Sequence, residues 1–181
     1  MRYLILLALM LCLPVRGEAW QVVGGGVASD GGYTISQTAE DNAILNIYNG
    51  KTRGQSFLAT SDGTLVKFRF KTGSTGSGGN GTVDVRCGAA RDLSTMYVGG
   101  SVANVSNATI YEVALSGGGL SVTSGNTYYC AATVVSNLYA DRVSLAYIAN
   151  DSTYANGHAQ TATGWVLSDS NYDHWFEAVV E

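Results

Sequence analysis

The chain has 181 residues, with 10 Lys+Arg against 14 Asp+Glu and a formal net charge of −4. Basic residues are too few and too scattered to track a phosphate backbone, so nucleic acid is not an expected partner. The length suits one domain, or one domain with an arm.

The first segment is an export signal. Met1-Arg2-Tyr3 is a short positive start, Leu4 to Leu13 is almost wholly apolar, and Pro14 breaks the run. Gly17-Glu18-Ala19 then places small residues at its first and third positions, and cleavage is expected after Ala19. The apolar run is about half of the ~20 residues needed to span a bilayer, and no later segment reaches that length. A secreted or cell-surface chain without a membrane span is therefore expected. Leu11 ahead of Cys12 argues against a lipid-anchored cysteine. Removal of residues 1–19 leaves 181 − 19 = 162 residues, with 8 basic and 13 acidic side chains, a net charge of −5. Residues 20–32 read as an N-terminal arm, with Gly24-Gly25-Gly26 as a hinge, and residues 33–181 as the domain proper.

From residue 33 onward, period-two alternation is frequent and helical periodicity nearly absent. Expected strands, in order, are Tyr33 to Gln37, Ala43 to Tyr48, Gln55 to Ala59, Leu65 to Lys71, Thr82 to Cys87, and Met96 to Val102. Ile110 to Leu115, Asn126 to Thr133, Val143 to Ile148 and Tyr172 to Val180 follow. In Leu65 to Lys71 the face of Val66, Phe68 and Phe70 is expected to be core, opposite Leu65, Lys67, Arg69 and Lys71. Val83, Val85 and Cys87 share a face opposite Asp84 and Arg86. Turn signals separate the runs: Asn49-Gly50, Asp62-Gly63, Asn80-Gly81, Gly117-Gly118-Gly119, Gly125-Asn126 and Asn156-Gly157. Asn-Gly and Asp-Gly suit tight hairpins because both residues tolerate positive φ. Gly73 to Gly81 reads as a flexible connector, and Asn150 to Gly164 as a long polar loop. About ten strands without a helix predict an all-β fold of two packed antiparallel sheets.

With Cys12 leaving in the signal, Cys87 and Cys130 remain as an even pair in an oxidising compartment. Each lies in a strand-like run, which predicts a disulfide joining neighbouring strands or the two sheets. Its loop of about 44 residues would contribute about 4 kcal/mol in the chain-entropy picture. Two buried free thiols are the alternative. Zinc would want four ligands at tighter spacing.

Several stretches resemble a class of secreted bacterial jelly-roll domains of the carbohydrate-binding-module and surface-anchor-associated kind. Gly54-Gln-Ser-Phe-Leu-Ala-Thr-Ser-Asp-Gly-Thr-Leu-Val-Lys-Phe-Arg-Phe70 carries the opening pattern of these domains. Gly81 to Cys87, Leu120 to Tyr129, Tyr154-Ala-Asn-Gly157, Gly164-Trp165 and Tyr172-Asp173-x-x-Phe176 carry the rest, covering about residues 43 to 181. The resemblance implies a jelly-roll-like antiparallel β-sandwich, and a non-catalytic module that binds carbohydrate or sits beside surface anchors.

Sugar recognition stacks aromatic faces on the CH face of a pyranose, while polar side chains fix the hydroxyls. The expected set is Tyr139, Arg142, Tyr147, Tyr154, Asn156, His158 and Trp165, with Tyr172 near them. Tyr154, in a turn-rich segment, should be exposed. Trp165 and Trp175 also suit core positions, and strand tyrosines suit cross-strand pairs. Jelly-roll modules resembling this one often hold a structural calcium near the chain termini; Asp30, Glu40, Asp41 and Asp173 are available as oxygen donors, and the resemblance places one at Asp173. Solvated acidic loops are the competing reading. No nucleophile elbow, paired zinc histidines or phosphate-binding loop occurs, and adjacent Asp173 and His174 would point to opposite faces of a strand, so catalysis is not expected. Asn80, Asn104, Asn107 and Asn150 open Asn-x-Ser/Thr sequons, which matter only in a host that glycosylates them. The low charge, the arm and the domain standing nearly alone motivate a different possibility: a self-assembling surface subunit that adds its arm to a neighbour's sheet edge.

Overall fold

A computed structural model describes residues 32–39, 43–48, 51–73, 81–96, 98–135, 142–148, 157, 159–163, 166–169 and 172–181. The expected export signal and all of the expected arm except Gly32, residues 1–31, lie outside the described residues.

The period-two segments become strands β1 (Tyr33–Gln37), β2 (Ala43–Tyr48), β3 (Thr52–Leu58), β4 (Gly63–Lys71) and β5 (Gly81–Gly88). Next come β6 (Val98–Val105), β7 (Ile110–Ala114), β8 (Leu120–Val122), β9 (Thr127–Val134) and β10 (Arg142–Ile148). The last four are β11 (Ala159–Thr163), β12 (Val166–Asp169), β13 (Asp173–His174) and β14 (Phe176–Val180). Only two short 3₁₀ turns, Leu93–Thr95 and Ser116–Gly118, interrupt them among the described residues.

All pairings are antiparallel. One sheet runs β1-β14-β4-β7, with β8 also on β4; a second runs β13-β10-β2; the third runs β12-β11-β3-β9-β5-β6. The first two join into a front layer. Thr72 bridges Leu145, the Gly73 N–H donates to Ser144 O at 2.8 Å, and the Trp175 N–H donates to Ala146 O at 3.0 Å. The third sheet is the back layer. The chain passes from one layer to the other between β2 and β3, β3 and β4, β4 and β5, β6 and β7, β8 and β9, β9 and β10, β10 and β11, and β12 and β13. This alternation gives the sandwich its jelly-roll character.

Between the layers lies a core of alternating inward side chains. Phe57 of the back layer and Phe176 of the front layer, both fully buried, meet at 6.1 Å between ring centroids. Tyr128 and Phe68 extend the cluster at 6.2 and 6.0 Å. Cys87 and Cys130 lie directly opposite in the β5–β9 pairing and form the disulfide, with Cα atoms 4.1 Å apart. The bond therefore joins neighbouring strands. A smaller cluster of Leu93, Met96, Ala131 and Leu167 packs on the outer face of the back layer, beneath the β5–β6 connection.

Three expectations need correction. Asp62-Gly63 makes no hairpin: β3 and β4 belong to different layers, and Gly63 is not at positive φ. In β4, Leu65 is fully buried and Val66 only half-buried. The register with β14 slips between Val179–Lys67 and Val180–Leu65, and this bulge turns Leu65 inward. Finally, residues 159–163 of the expected polar loop form β11, paired with both β3 and β12. Pairing on two sides overrides the weak strand propensity of Ala-Gln-Thr-Ala-Thr.

The triple glycine also has a specific role. β7 and β8 run along the same edge of β4, and residues 115–119 bulge out between them. Gly117, Gly118 and Gly119 sit at φ of 66, 83 and 99°, and a Cβ on Gly119 would collide with the Leu65 carbonyl.

Candidate functional site

At one end of the sandwich the core gives way to polar side chains. β3 alternates, so Arg53 and Gln55 share the inward side with Phe57. Facing them across the layers, Tyr147 and His174 are opposite one another in the β10–β13 pairing. Tyr147, Tyr172 and His174 form an aromatic group: ring centroids lie 4.9 Å apart for the two tyrosines, 5.4 Å for Tyr172–His174 and 6.3 Å for Tyr147–His174. Both tyrosines are half-buried, so part of each ring faces outward.

Gln55 clamps the two layers together here. Its Oε1 accepts from the His174 N–H at 2.9 Å, and its Nε2 donates to Asp173 Oδ1 at 3.3 Å and to Ser56 O at 3.1 Å. Asp173 and His174 are both buried, so neighbouring residues that alternate in a strand are each enclosed. Burial above all, reinforced by the Arg53 charge, lowers the His174 imidazole to about 3, with the Ala146 carbonyl opposing. Neither ring nitrogen makes a hydrogen bond among the described residues, nor does Arg53 Nε. The space bounded by Arg53, Gln55, Leu145, His174 and Trp175 measures only about 20 Å³, comparable to one water. A sugar ring does not fit between the layers here and would have to lie on the rim formed by the two tyrosines.

Of the residues expected to bind ligand, Tyr147 stands in this group. Arg142 opens β10, and its side chain is outside the described residues. Tyr139, Tyr154, Asn156, His158 and Trp165 also lie outside them. Among the expected calcium donors, Asp173 is fully buried with an amide donor on Oδ1, and Asp30, Glu40 and Asp41 are outside the described residues. Among the described residues no three His, Cys, Asp or Glu side chains cluster as a metal site. Sequence reading missed Arg53 and Gln55, which reach this end from about 120 residues away. The available signal was the alternation of this strand, which puts Arg53 and Gln55 on the same side as Phe57.

A second concavity lies on the outer face of the back layer. It measures about 360 Å³ and is lined by Asp84, Arg86, Met96, Gly99, Ser101 and Ser116, among others.

No helix among the described residues is long and apolar enough to cross a membrane. No family model and no curated protein matches the sequence. Among solved structures, the chain is similar to the cysteine protease and lectin-like domains of Cwp84, a surface layer associated protein of Clostridium difficile. The identity is 14% and the TM-score 0.51, over 80% of this chain and 37% of that one. It is also similar to clostridial Cwp84 after propeptide cleavage, at 14% identity and TM-score 0.54, over 77% of this chain and 37% of that one. The chain thus spans little more than a third of either structure. At this identity the likeness is one of fold, and the shared fold is the antiparallel β-sandwich.

Proposed function

We propose that this chain is exported and acts as a non-catalytic module that binds a carbohydrate or surface polymer. The aromatic group of Tyr147, Tyr172 and His174 at the end of the sandwich carries the reading. It offers two partly exposed tyrosine faces beside a polar rim, the chemistry a pyranose needs. The lectin-like domain in one of the similar structures is compatible with it. The test is a pull-down of the purified protein on insoluble polysaccharides, with calcium and with chelator. Saturable capture, weakened in Tyr147→Ala and Tyr154→Ala variants that keep their circular dichroism, is expected. Capture lost on chelation would add an ion to the site. No capture by any polymer refutes the reading.

One observation favours a self-assembling subunit instead. β1 pairs only with β14 among the described residues, and the glycine-rich residues 20–32 immediately precede it in the chain. Large assemblies that vanish on deletion of residues 20–32 would establish this reading in place of the first.

A further inference from the structure

We infer that the groove on the outer face of the back layer is a second binding site, one that takes an uncharged, hydroxyl-rich saccharide chain. The class of ligand rests on the carbohydrate reading above; the site itself is separate from the tyrosine rim.

On the front layer Lys67 pairs with Glu112, and Arg69 with both Glu112 and Glu177. Asp84 and Arg86, on the back layer, enter neither an ion pair nor a side-chain hydrogen bond among the described residues. They stand two residues apart on β5, so both point outward, while Val83, Val85 and Cys87 between and beside them are buried in the core. Two residues along a strand span about 7 Å, so both head groups can reach one sugar ring or two adjoining ones.

The neighbouring strand leaves room for such a ring. Ser101 stands opposite Asp84, and Gly99 opposite Arg86. A side chain at Gly99 would collide with the Val85 carbonyl and crowd Arg86 Cγ, so the groove floor there must be bare backbone. The Gly99 N–H is already donated to Ser116 Oγ at 3.2 Å. That stretch of edge is therefore not offering this donor to an added peptide strand, and the Ser116 hydroxyl keeps its own proton to donate. The volume of about 360 Å³ falls in the range of small-molecule sites.

The composition of the groove selects the ligand. A carboxylate and a guanidinium side by side cancel in net charge, so an anion would meet Asp84 and a cation would meet Arg86. Hydroxyl groups satisfy both: they donate to the carboxylate and accept from the guanidinium. With a second contact at the tyrosine rim, one polymer could engage both sites, and the two would reinforce each other through effective concentration.

The test compares binding isotherms on cellulose, chitin, xylan and peptidoglycan for the unaltered protein and for Asp84→Ala, Arg86→Ala and Tyr147→Ala. Asp84→Ala and Arg86→Ala are each expected to weaken binding to the captured polymer at least tenfold without changing the melting profile. Ser101→Tyr, which fills the groove without removing a charge, should do the same and decides the matter if an alanine variant misfolds. If all three groove variants bind like the unaltered protein while Tyr147→Ala releases the polymer, the groove is not a site and the carbohydrate reading stands. If the unaltered protein captures no polymer, the carbohydrate reading fails and the groove proposal fails with it.

Discussion

The two outer faces of the sandwich handle charge in opposite ways. On the front layer, Glu177, Arg69 and Glu112 are aligned across β14, β4 and β7, and Arg69 joins both glutamates at 2.9 and 2.7 Å. These contacts raise the Arg69 guanidinium and lower the Glu112 carboxyl relative to their ordinary values, chiefly through the hydrogen bonds between them. On the back layer, a small apolar cluster covers part of the face, and Asp84 and Arg86 remain without a protein partner among the described residues. Matched charges across strands fix register and keep a face wet. Unmatched charges beside a bare glycine floor leave their hydrogen-bonding capacity for something else. The difference separates a face that serves the fold from a face suited to a ligand.

The comparison depends on a common core, and the largest expected effect is its loss. Phe176→Ala removes the fully buried ring that touches both Phe57 and Phe68. A loss of about 3–5 kcal/mol is expected in denaturant unfolding, and both faces should fail together. A loss under about 1 kcal/mol would show that the layers are held independently.

Acid should act next, through the sandwich end and not through either outer face. The His174 imidazole is at about 3 when folded and regains its ordinary value of about 6.5 when unfolded. The unfolded chain therefore binds the extra proton between these values, and stability falls as pH drops from about 6.5 towards 3. The slope is about 1.4 kcal/mol per pH unit, or about 2 kcal/mol by pH 5. His174→Phe should flatten that stretch of the stability–pH curve; an unchanged slope would assign it to other groups.

The smallest effect sharpens the contrast most. Arg69→Ala should cost no more than about 1 kcal/mol, because Glu112 is solvent-exposed and Glu177 only half-buried, and should leave polymer binding unchanged. Arg86→Ala should change stability by less than about 0.5 kcal/mol while binding falls. Equal behaviour of the two arginines in both assays would erase the distinction between the faces.

Much of this architecture was legible in the sequence, and the failures have physical causes. Tyr33 to Gln37 and Ala43 to Tyr48 were read with the bounds the strands have: Tyr-Thr-Ile-Ser alternates, and Ala-Ile-Leu-Asn-Ile-Tyr is a short run rich in strand-favouring residues. β8, β11 and β12 were missed. Leu120-Ser-Val and Ala-Gln-Thr-Ala-Thr are short or polar, and their neighbours in the sheet, not their own side chains, make them strands. The partner of each run was also hidden: Asp62-Gly63 looks like a hairpin turn because local residues do not announce that the chain is changing layers. At the site, Tyr147 was visible as an aromatic residue in a polar region. Gln55 was not, since its role depends on a strand about 120 residues later. Asp84 and Arg86 read correctly as an outward face, but only the opposing Gly99 and Ser101 reveal that the face is hollow.

The place of β14 carries a consequence for how the molecule comes into being. Phe176–Val180 is not an edge strand; it lies between β1 and β4, closing the front layer, and brings Phe176 into the centre of the core. Among the described residues, 33–37 therefore have no sheet neighbour until Phe176–Val180 has been synthesised. Closure of the front layer therefore waits for β14, whereas β3, β9, β5 and β6 of the back layer pair without it.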